Sequence, residues 1–236
     1  MLLYCTYTMS LIDLLFPRFC LGCTTPGAYI CPSCFKKLQR IRKTRCLYCK
    51  RESYLGLTHP GCYKKLYIDG NLSIFHYDRL MRKIIKNIKY RLAVSIFKEL
   101  VNNIGPQYLD RLFTSKKLFN GASIQSIPLT RQKLNSRGFN QADLVATFLN
   151  SILGLKTGNF LIRVKETLPQ ANLSSSLKRY QNIRGVFKLK QGAKIKNKKI
   201  ILVDDVITSG ATMREAARIL KRAGAAKVYV LSLARG

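Results

Sequence analysis

KIILVDDVITSGAT, running from Lys199 to Thr212, is the stretch whose reading decides the fold. Ile200, Ile201, Leu202 and Val203 make a continuous apolar run of the kind that forms a strand buried on both faces, as in a parallel sheet covered by helices. The run stops on two adjacent carboxylates, Asp204 and Asp205, in a chain with only 11 acidic residues. A loop of small residues follows, Thr208-Ser209-Gly210-Ala211-Thr212, and a helical pattern opens behind it. Ligands of such sheets sit beyond the carboxyl ends of the strands, which is where this loop falls. Backbone N–H groups of a glycine-containing turn leading into a helix favour an anion, phosphate above all. The hydroxyls of Thr208, Ser209 and Thr212 add donors to the same cup. Carboxylates held beside it suit ribose hydroxyls, with a divalent metal as a further partner. No G-x(4)-G-K-[ST] string occurs, which excludes a P-loop.

ILVDDVITSGAT resembles the phosphoribosyl-pyrophosphate (PRPP) signature of type I phosphoribosyltransferases, in which two acidic residues follow a hydrophobic strand and a T-[ST]-G-x-T loop follows them. The resemblance implies that Asp204 and Asp205 hold the ribose hydroxyls. It also implies that Thr208, Ser209, Gly210, Ala211 and Thr212 hold the 5-phosphate, with magnesium accompanying the diphosphate.

The bulk composition is globular, and 236 residues suffice for one α/β domain with a small appendage. Its charge is the anomaly: 42 Lys and Arg give a formal +31. Such an excess attracts polyanions and favours salt-sensitive encounter with nucleic acid, although charge alone names no partner. No apolar run approaches the ~20 residues needed to span a bilayer. The opening MLLYCTYTMSLIDLLF lacks a basic start, carries Asp13 and runs into a cysteine motif without a cleavage signature, so a secretory signal is rejected. Met9 is an alternative start to Met1.

Eight cysteines lie in the first 62 residues and none beyond. Cys20-x2-Cys23 is answered by Cys31-x2-Cys34, and Cys46-x2-Cys49 by His59-Pro60-Gly61-Cys62. A C-x2-C turn lets two thiolates reach one tetrahedral ion, and two such turns complete a structural zinc site. The expectation is therefore up to two zinc ions, with His59 taking the place of one thiolate and Cys5 left over. The rival, a disulfide framework, wants a secreted chain and is disfavoured. The run Lys36, Lys37, Arg40, Arg42, Lys43, Arg45 either touches phosphates or forms a solvated face.

Tyr67 to Tyr77 reads as a strand with Asp78 as N-cap of a helix over Arg79 to Tyr90. In that helix Leu80, Met81, Ile84, Ile85 and Ile88 face the core, while Arg82, Lys83, Lys86 and Lys89 face away. A second helix is expected from Ala93 to about Ile104. In Ser123 to Leu149 a strand ends at Pro128, a basic loop follows, and a helix begins near Asn140. Arg131, Lys133 and Arg137 of that loop have the chemistry to bind a pyrophosphate leaving group. Helix Arg214 to Ala223, ended by Gly224 as C′ glycine, and strand Lys227 to Leu233 close a β-α-β unit.

The string Arg137-Gly-Phe-Asn-Gln141 is similar to one carried by the ComF family, associated with DNA uptake in bacterial competence. Arg163, Thr167, Gln170, Leu173, Arg179, Asn182, Gly185 and Phe187 resemble a second family segment in order. Thr130 stands where members often place His, and His59 where they often place Cys. The resemblance runs from about Leu11 to Arg235. It implies a type I phosphoribosyltransferase-like parallel-sheet domain over 67–236, preceded by a Cys-rich double zinc ribbon over 1–66. Gln170 to Phe187, with Arg179, resembles the hood loop that closes over PRPP, or is a surface connection leading into a strand from Gly185. Two functions are carried forward. By resemblance, the first is a cytoplasmic competence protein that binds PRPP or a phosphoribosyl nucleotide and single-stranded DNA, with competence-machinery proteins as partners. The second is a metabolic phosphoribosyltransferase acting on a base or amine. No residue is assigned as a catalytic base.

Overall fold

The computed structural model describes residues 17–88, 93–167 and 176–236. Cys5, Gln170, Leu173 and the expected helix end at Tyr90 lie outside them.

The chain begins with two cysteine knuckle pairs. Short helices α1 (Pro32–Lys36) and α2 (Pro60–Leu66) each follow a metal-ligand position, Cys31 and His59, which serve as their N-caps. Strand β1 (Gly70–His76) follows, then α3 (Arg79–Asn87), α4 (Ala93–Asn102), α5 (Pro106–Thr114) and α6 (Lys116–Phe119). Asp78 caps α3 as its sequence predicts: its side chain accepts from the Met81 N–H at 2.8 Å. Strand β2 (Ser123–Ser126) leads to α7 (Arg131–Arg137), α8 (Gln141–Leu153) and β3 (Lys156–Thr157). A hairpin of β4 (Leu161–Arg163) and β5 (Phe187–Leu189) brackets α9 (Ser176–Ile183). The chain ends with β6 (Lys199–Ile207), α10 (Ala211–Arg222) and β7 (Lys227–Arg235).

Five strands form one sheet in the order β1-β7-β6-β2-β3, with every pairing parallel. The apolar run of β6 explains its central place. Ile201 and Val203 join a core cluster with Leu231, Leu233 and the helices α3, α4 and α8, while Ile200 and Leu202 join another with Met213, Ala216 and Leu220 of α10. This is the two-faced burial that a continuous Val/Ile/Leu strand demands.

Besides shifts of about two or three residues at the ends of β1, β2, β5 and β7, the structure departs from the sequence expectation where it shapes the site. Strand β6 runs through the acidic pair to Ile207, because β7 continues beside it: Asp204 pairs with Ser232 and Ile207 with Arg235. The basic segment after β2 is a helix rather than a loop. Thr130 caps it by accepting from the Lys133 N–H at 3.4 Å, and Gly138, at φ +77°, ends it. Helix α10 begins at Ala211, directly on the small-residue loop, and not at Arg214.

The knuckles are packed into the sheet's own cores. Ile30, Phe35 and Leu38 belong to the cluster around β1 and α3; Leu47 and Leu66 belong to the cluster around α10. The linker between the two knuckle pairs lies along the edge strand, with the Ile41 N–H donating to Ile74 O at 2.9 Å and the His76 N–H to Gln39 O at 2.8 Å. The edge of β1 is thereby covered, which removes a template for strand addition. Among the described residues no helix is long and apolar enough to cross a membrane.

Candidate functional site

The chain leaves β2 toward β3 and leaves β6 toward β7, in opposite directions across the sheet. A crevice opens where neighbouring strands diverge in this way, at their carboxyl ends. A cleft of about 700 Å³ occupies that position, lined by Ile127 and Leu129 after β2 and by Asp204 to Thr208 at the end of β6.

The small-residue loop forms its floor. Gly210 sits at φ +75°, a left-handed conformation that glycine adopts without strain, and serves as the N-cap of α10. Among the described residues, the backbone N–H groups of Thr208, Ser209 and Gly210 have no acceptor. The Ser209 hydroxyl accepts from the Ala211 N–H at 3.4 Å, so it caps the helix as well as bordering the loop. The floor thus presents amide hydrogens at a helix N-terminus, where the macrodipole adds positive potential.

Asp204 and Asp205 are half-buried and line the cleft. Each is fixed by its own backbone: Asp204 Oδ1 accepts from the Asp205 N–H at 2.9 Å and Asp205 Oδ1 from the Val206 N–H at 2.8 Å. Gly210, Ala211 and Thr212 share the lining.

Among the described residues, Arg82, Lys133, Arg137, Arg163 and Arg179 complete the wall, with Glu166 Oε2 3.3 Å from Lys133 Nζ. Arg137, the last residue of α7, donates to Gln141 Oε1 at 2.9 Å. Arg131, in the first turn of the same helix, is exposed and outside the lining. The two arginines therefore stand at opposite ends of a helix where the sequence predicts a loop. Arg82 faces away from the core, as the helical pattern predicts, and the direction in which it faces is the cleft. There it lies 5.3 Å from the ring centroid of Tyr77, another lining residue. Burial pushes the Tyr77 phenol up, Arg82 opposes this, and the Asp205 carboxylate reinforces it. The sequence signal for Arg163 is its place in the family-like segment alone. It donates to Thr167 Oγ1 at 2.5 Å and stacks over Phe187 at 5.8 Å, while its Nε is buried without a partner. Burial disfavours its charged form, and the carboxylates of Glu166 and Asp204 oppose that.

The arch carrying Arg163 and Arg179 is pinned to α10. The Arg214 guanidinium lies 4.2 Å over the Tyr180 ring, and Glu215 accepts from the Gly185 N–H at 2.8 Å and from Arg218 at 2.6 Å. Burial pushes the Glu215 carboxyl up, but these donors outweigh it and hold it below its ordinary value.

The cysteines form two clusters, Cys20, Cys23, Cys31, Cys34 and Cys46, Cys49, His59, Cys62, whose ligand atoms within each cluster lie within 4.8 Å of one another. A tetrahedral zinc site with ~2.3 Å Zn–S bonds requires sulfurs about 3.8 Å apart. Cys23 Sγ and Cys31 Sγ are 3.6 Å apart, and Cys49 Sγ lies 3.2 Å from His59 Nδ1. His59 Nε2 lies 3.1 Å from the Glu52 carbonyl; donating there leaves the Nδ1 lone pair facing the thiols, the usual outer partner of a zinc histidine. Each cluster also holds an acidic thiol and a basic one. The Thr25 hydroxyl is the first cause holding Cys23 at about 6, and burial pushes Cys34 to about 12. The Arg51 backbone likewise leads in holding Cys49 at about 6, and burial pushes Cys62 to about 11. Both donor sets fit structural zinc.

Fold and clusters together define a phosphoribosyltransferase-type domain carrying a double zinc ribbon. The sequence matches the phosphoribosyl transferase domain over residues 136–236 and the double zinc ribbon domain over residues 11–64. It is 30% identical over 213 residues to competence protein F of Haemophilus influenzae, covering 87% of this chain and 90% of that protein. It is 29% identical over 232 residues to DNA utilization protein YhgH of Escherichia coli, covering 93% and 97%. It is 26% identical over 220 residues to competence protein ComFC of Bacillus subtilis, covering 89% and 85%. The chain belongs to the competence protein F (ComF) family.

Proposed function

We propose that the cleft binds PRPP or a phosphoribosyl nucleotide, and that the protein serves DNA uptake and handles single-stranded DNA during natural transformation. The reading rests above all on one juxtaposition, an acidic pair beside unengaged amides at a helix N-terminus, inside a cleft ringed by cations. In it, Asp204 and Asp205 take the ribose hydroxyls and the loop from Thr208 to Thr212 takes the 5-phosphate. Lys133, Arg137, Arg163 and Arg179 neutralise the diphosphate, with Arg131, exposed and outside the cleft lining, as an outer candidate for the same role. Magnesium, when bound with the diphosphate, supplies further positive charge to the leaving oxygens. The names of the relatives, competence protein F, ComFC and DNA utilization protein, support the biological setting. Calorimetry with PRPP and magnesium tests the site, and repeating it with candidate bases separates a binder from a transferase. Absence of heat with the wild-type protein overturns the reading.

Support for single-stranded DNA comes from charge and from exposed rings. Tyr54 is 78% exposed and Tyr48 44% exposed, the latter with Lys65 Nζ 5.1 Å from its ring centroid. Aromatic faces interleaved with cations stack bases and neutralise phosphates without regard to sequence. With about four phosphates neutralised, a fourfold rise in salt costs about 50-fold in affinity for single strands. Fluorescence anisotropy across a salt series checks this, and a flat response removes DNA from the function.

A further inference from the structure

We propose that Leu47, inside the second zinc knuckle, is a positioning residue for the phosphate loop, so that zinc at Cys46, Cys49, His59 and Cys62 and the ligand in the cleft stabilise each other. The inference rests on the phosphoribosyl reading of the cleft and adds to it a partner site within the same chain.

Two separate contacts carry it. Leu47 lies between Cys46 and Cys49 in sequence, is 2% exposed, and packs in one cluster with Ile207 and Met213, which flank the loop. It also fills the space beside Gly210: a Cβ built there would meet Leu47 Cδ2 at 3.1 Å. Gly210 is held at φ +75° at that spot. The leucine is a wedge under the residue whose backbone turns the loop into α10.

The second contact is a polar clamp. Arg235 pairs across the sheet with Ile207, the last residue before the loop. Its guanidinium donates to Arg45 O at 3.0 Å, Asn71 Oδ1 at 2.8 Å and Cys46 O at 3.5 Å. Asn71 in turn donates to Arg45 O at 3.1 Å and Gly56 O at 3.2 Å. The half-buried Arg235 guanidinium and the buried Asn71 amide thus tie the knuckle's backbone to the strand position next to the loop. Polar groups so buried hold their geometry because an unmade bond is costly.

The knuckle's turn closes on its own backbone, and zinc would anchor that turn to the rest of the ribbon. Its turn carries Lys50 at φ +64°, and its ends close through Cys46 N–H to Arg51 O at 3.0 Å and Lys50 N–H to Cys46 O at 3.1 Å. Zinc ligation joins this turn to His59 and Cys62, which fixes where Leu47 points. A loop poised for phosphate and a knuckle poised for zinc are then two states of one packed unit, and coupling between bound ligands is reciprocal, commonly 5- to 150-fold, roughly. Among the described residues, Ile30, Phe35 and Leu38 beside the first cluster pack in the other core, away from Gly210.

The test measures PRPP–magnesium affinity and chelator-driven zinc release on the full chain. Leu47→Ala, which keeps all zinc ligands, is expected to bind PRPP about tenfold more weakly at unchanged zinc content, and Leu47→Met to restore affinity. Saturating PRPP is expected to slow zinc release from the second cluster by a similar factor and from the first by clearly less; mapping which cysteines become alkylated during release identifies which is which. A Leu47→Ala protein that binds PRPP like the wild type, or zinc release indifferent to PRPP, overturns this inference alone. A wild-type protein that does not bind PRPP overturns the functional reading and this inference together.

Discussion

Replacing both carboxylates, Asp204→Asn with Asp205→Asn, is expected to weaken PRPP binding by about 10²- to 10⁴-fold, on the basis that each charged hydrogen bond contributes roughly 1.5–3 kcal/mol. The substitution is well suited to isolate the site, because it leaves the strand intact. Each carboxylate's contact with its own backbone is made by Oδ1 accepting from the following N–H, and an asparagine carbonyl can accept in the same way. The apolar residues that bury β6, Ile200 to Val203, are untouched. Charge gives an internal control with the opposite sign. Among the described residues the cleft lining sets five cations, one of them paired with Glu166, against Asp204 and Asp205, so removing both of these negative charges makes it more attractive to a bare anion. Magnesium-free pyrophosphate should therefore bind the double variant at least as tightly as the wild type, while PRPP binds far more weakly. Calorimetry with the two ligands distinguishes loss of ribose recognition from misfolding. Equal PRPP affinity in variant and wild type would remove these residues from the site.

How much of this was legible beforehand depends on whether a feature is local. The apolar run of β6, the Asp78 cap of α3 and Gly224 beyond α10, at φ +88°, are set by residues within a turn or two of each other. The paired cysteines were legible because ligand spacing is also local. The extension of β6 through its acidic pair was not, since it depends on β7 running alongside as far as Arg235. Nor was the division of labour between Arg131 and Arg137. A loop would put them on one flexible stretch, whereas Thr130 and Gly138 cap the segment as a helix that leaves Arg137, and not Arg131, on the cleft. A signal existed, Thr at the start and Gly at the end, and it was masked by the number of basic residues between. Arg82 needed two facts together: which face of α3 turns away from the core, and what that face meets. The contact between Leu47 and Gly210 joins residues far apart in the chain, with no periodicity linking them. Cleft membership is in this sense a tertiary property, while the chemistry of each lining residue is a sequence property.

Stripping zinc from the reduced protein is expected to destabilise the whole chain and not the knuckles alone. Metal analysis should first find about two ions per chain, one for each four-ligand cluster. Structural zinc contributes roughly 10–16 kcal/mol of apparent binding free energy in small domains, as much as or more than the ~5–15 kcal/mol that keeps an ordinary domain folded. In an independent module that loss would stay local. Here Ile30, Phe35 and Leu38 sit in the core on one face of the sheet and Leu47 and Leu66 in the core on the other, so a loosened ribbon opens both. Chelation should therefore lower the melting temperature by more than about 10 °C and expose apolar surface to a hydrophobic dye. The pH dependence has a definite sign. With Cys34 pushed to about 12 and Cys62 to about 11, each chiefly by burial, the metal-free clusters hold those thiols protonated at neutral pH. Zinc must displace these protons, so its affinity rises with pH and the stabilisation it provides is lost on acidification. Melting curves with and without chelator, recorded at two pH values, test both halves. A reduced, chelated protein that melts where the metal-loaded one does would show that the sheet's cores stand without the ribbon, and the shared-core account of this fold would fail.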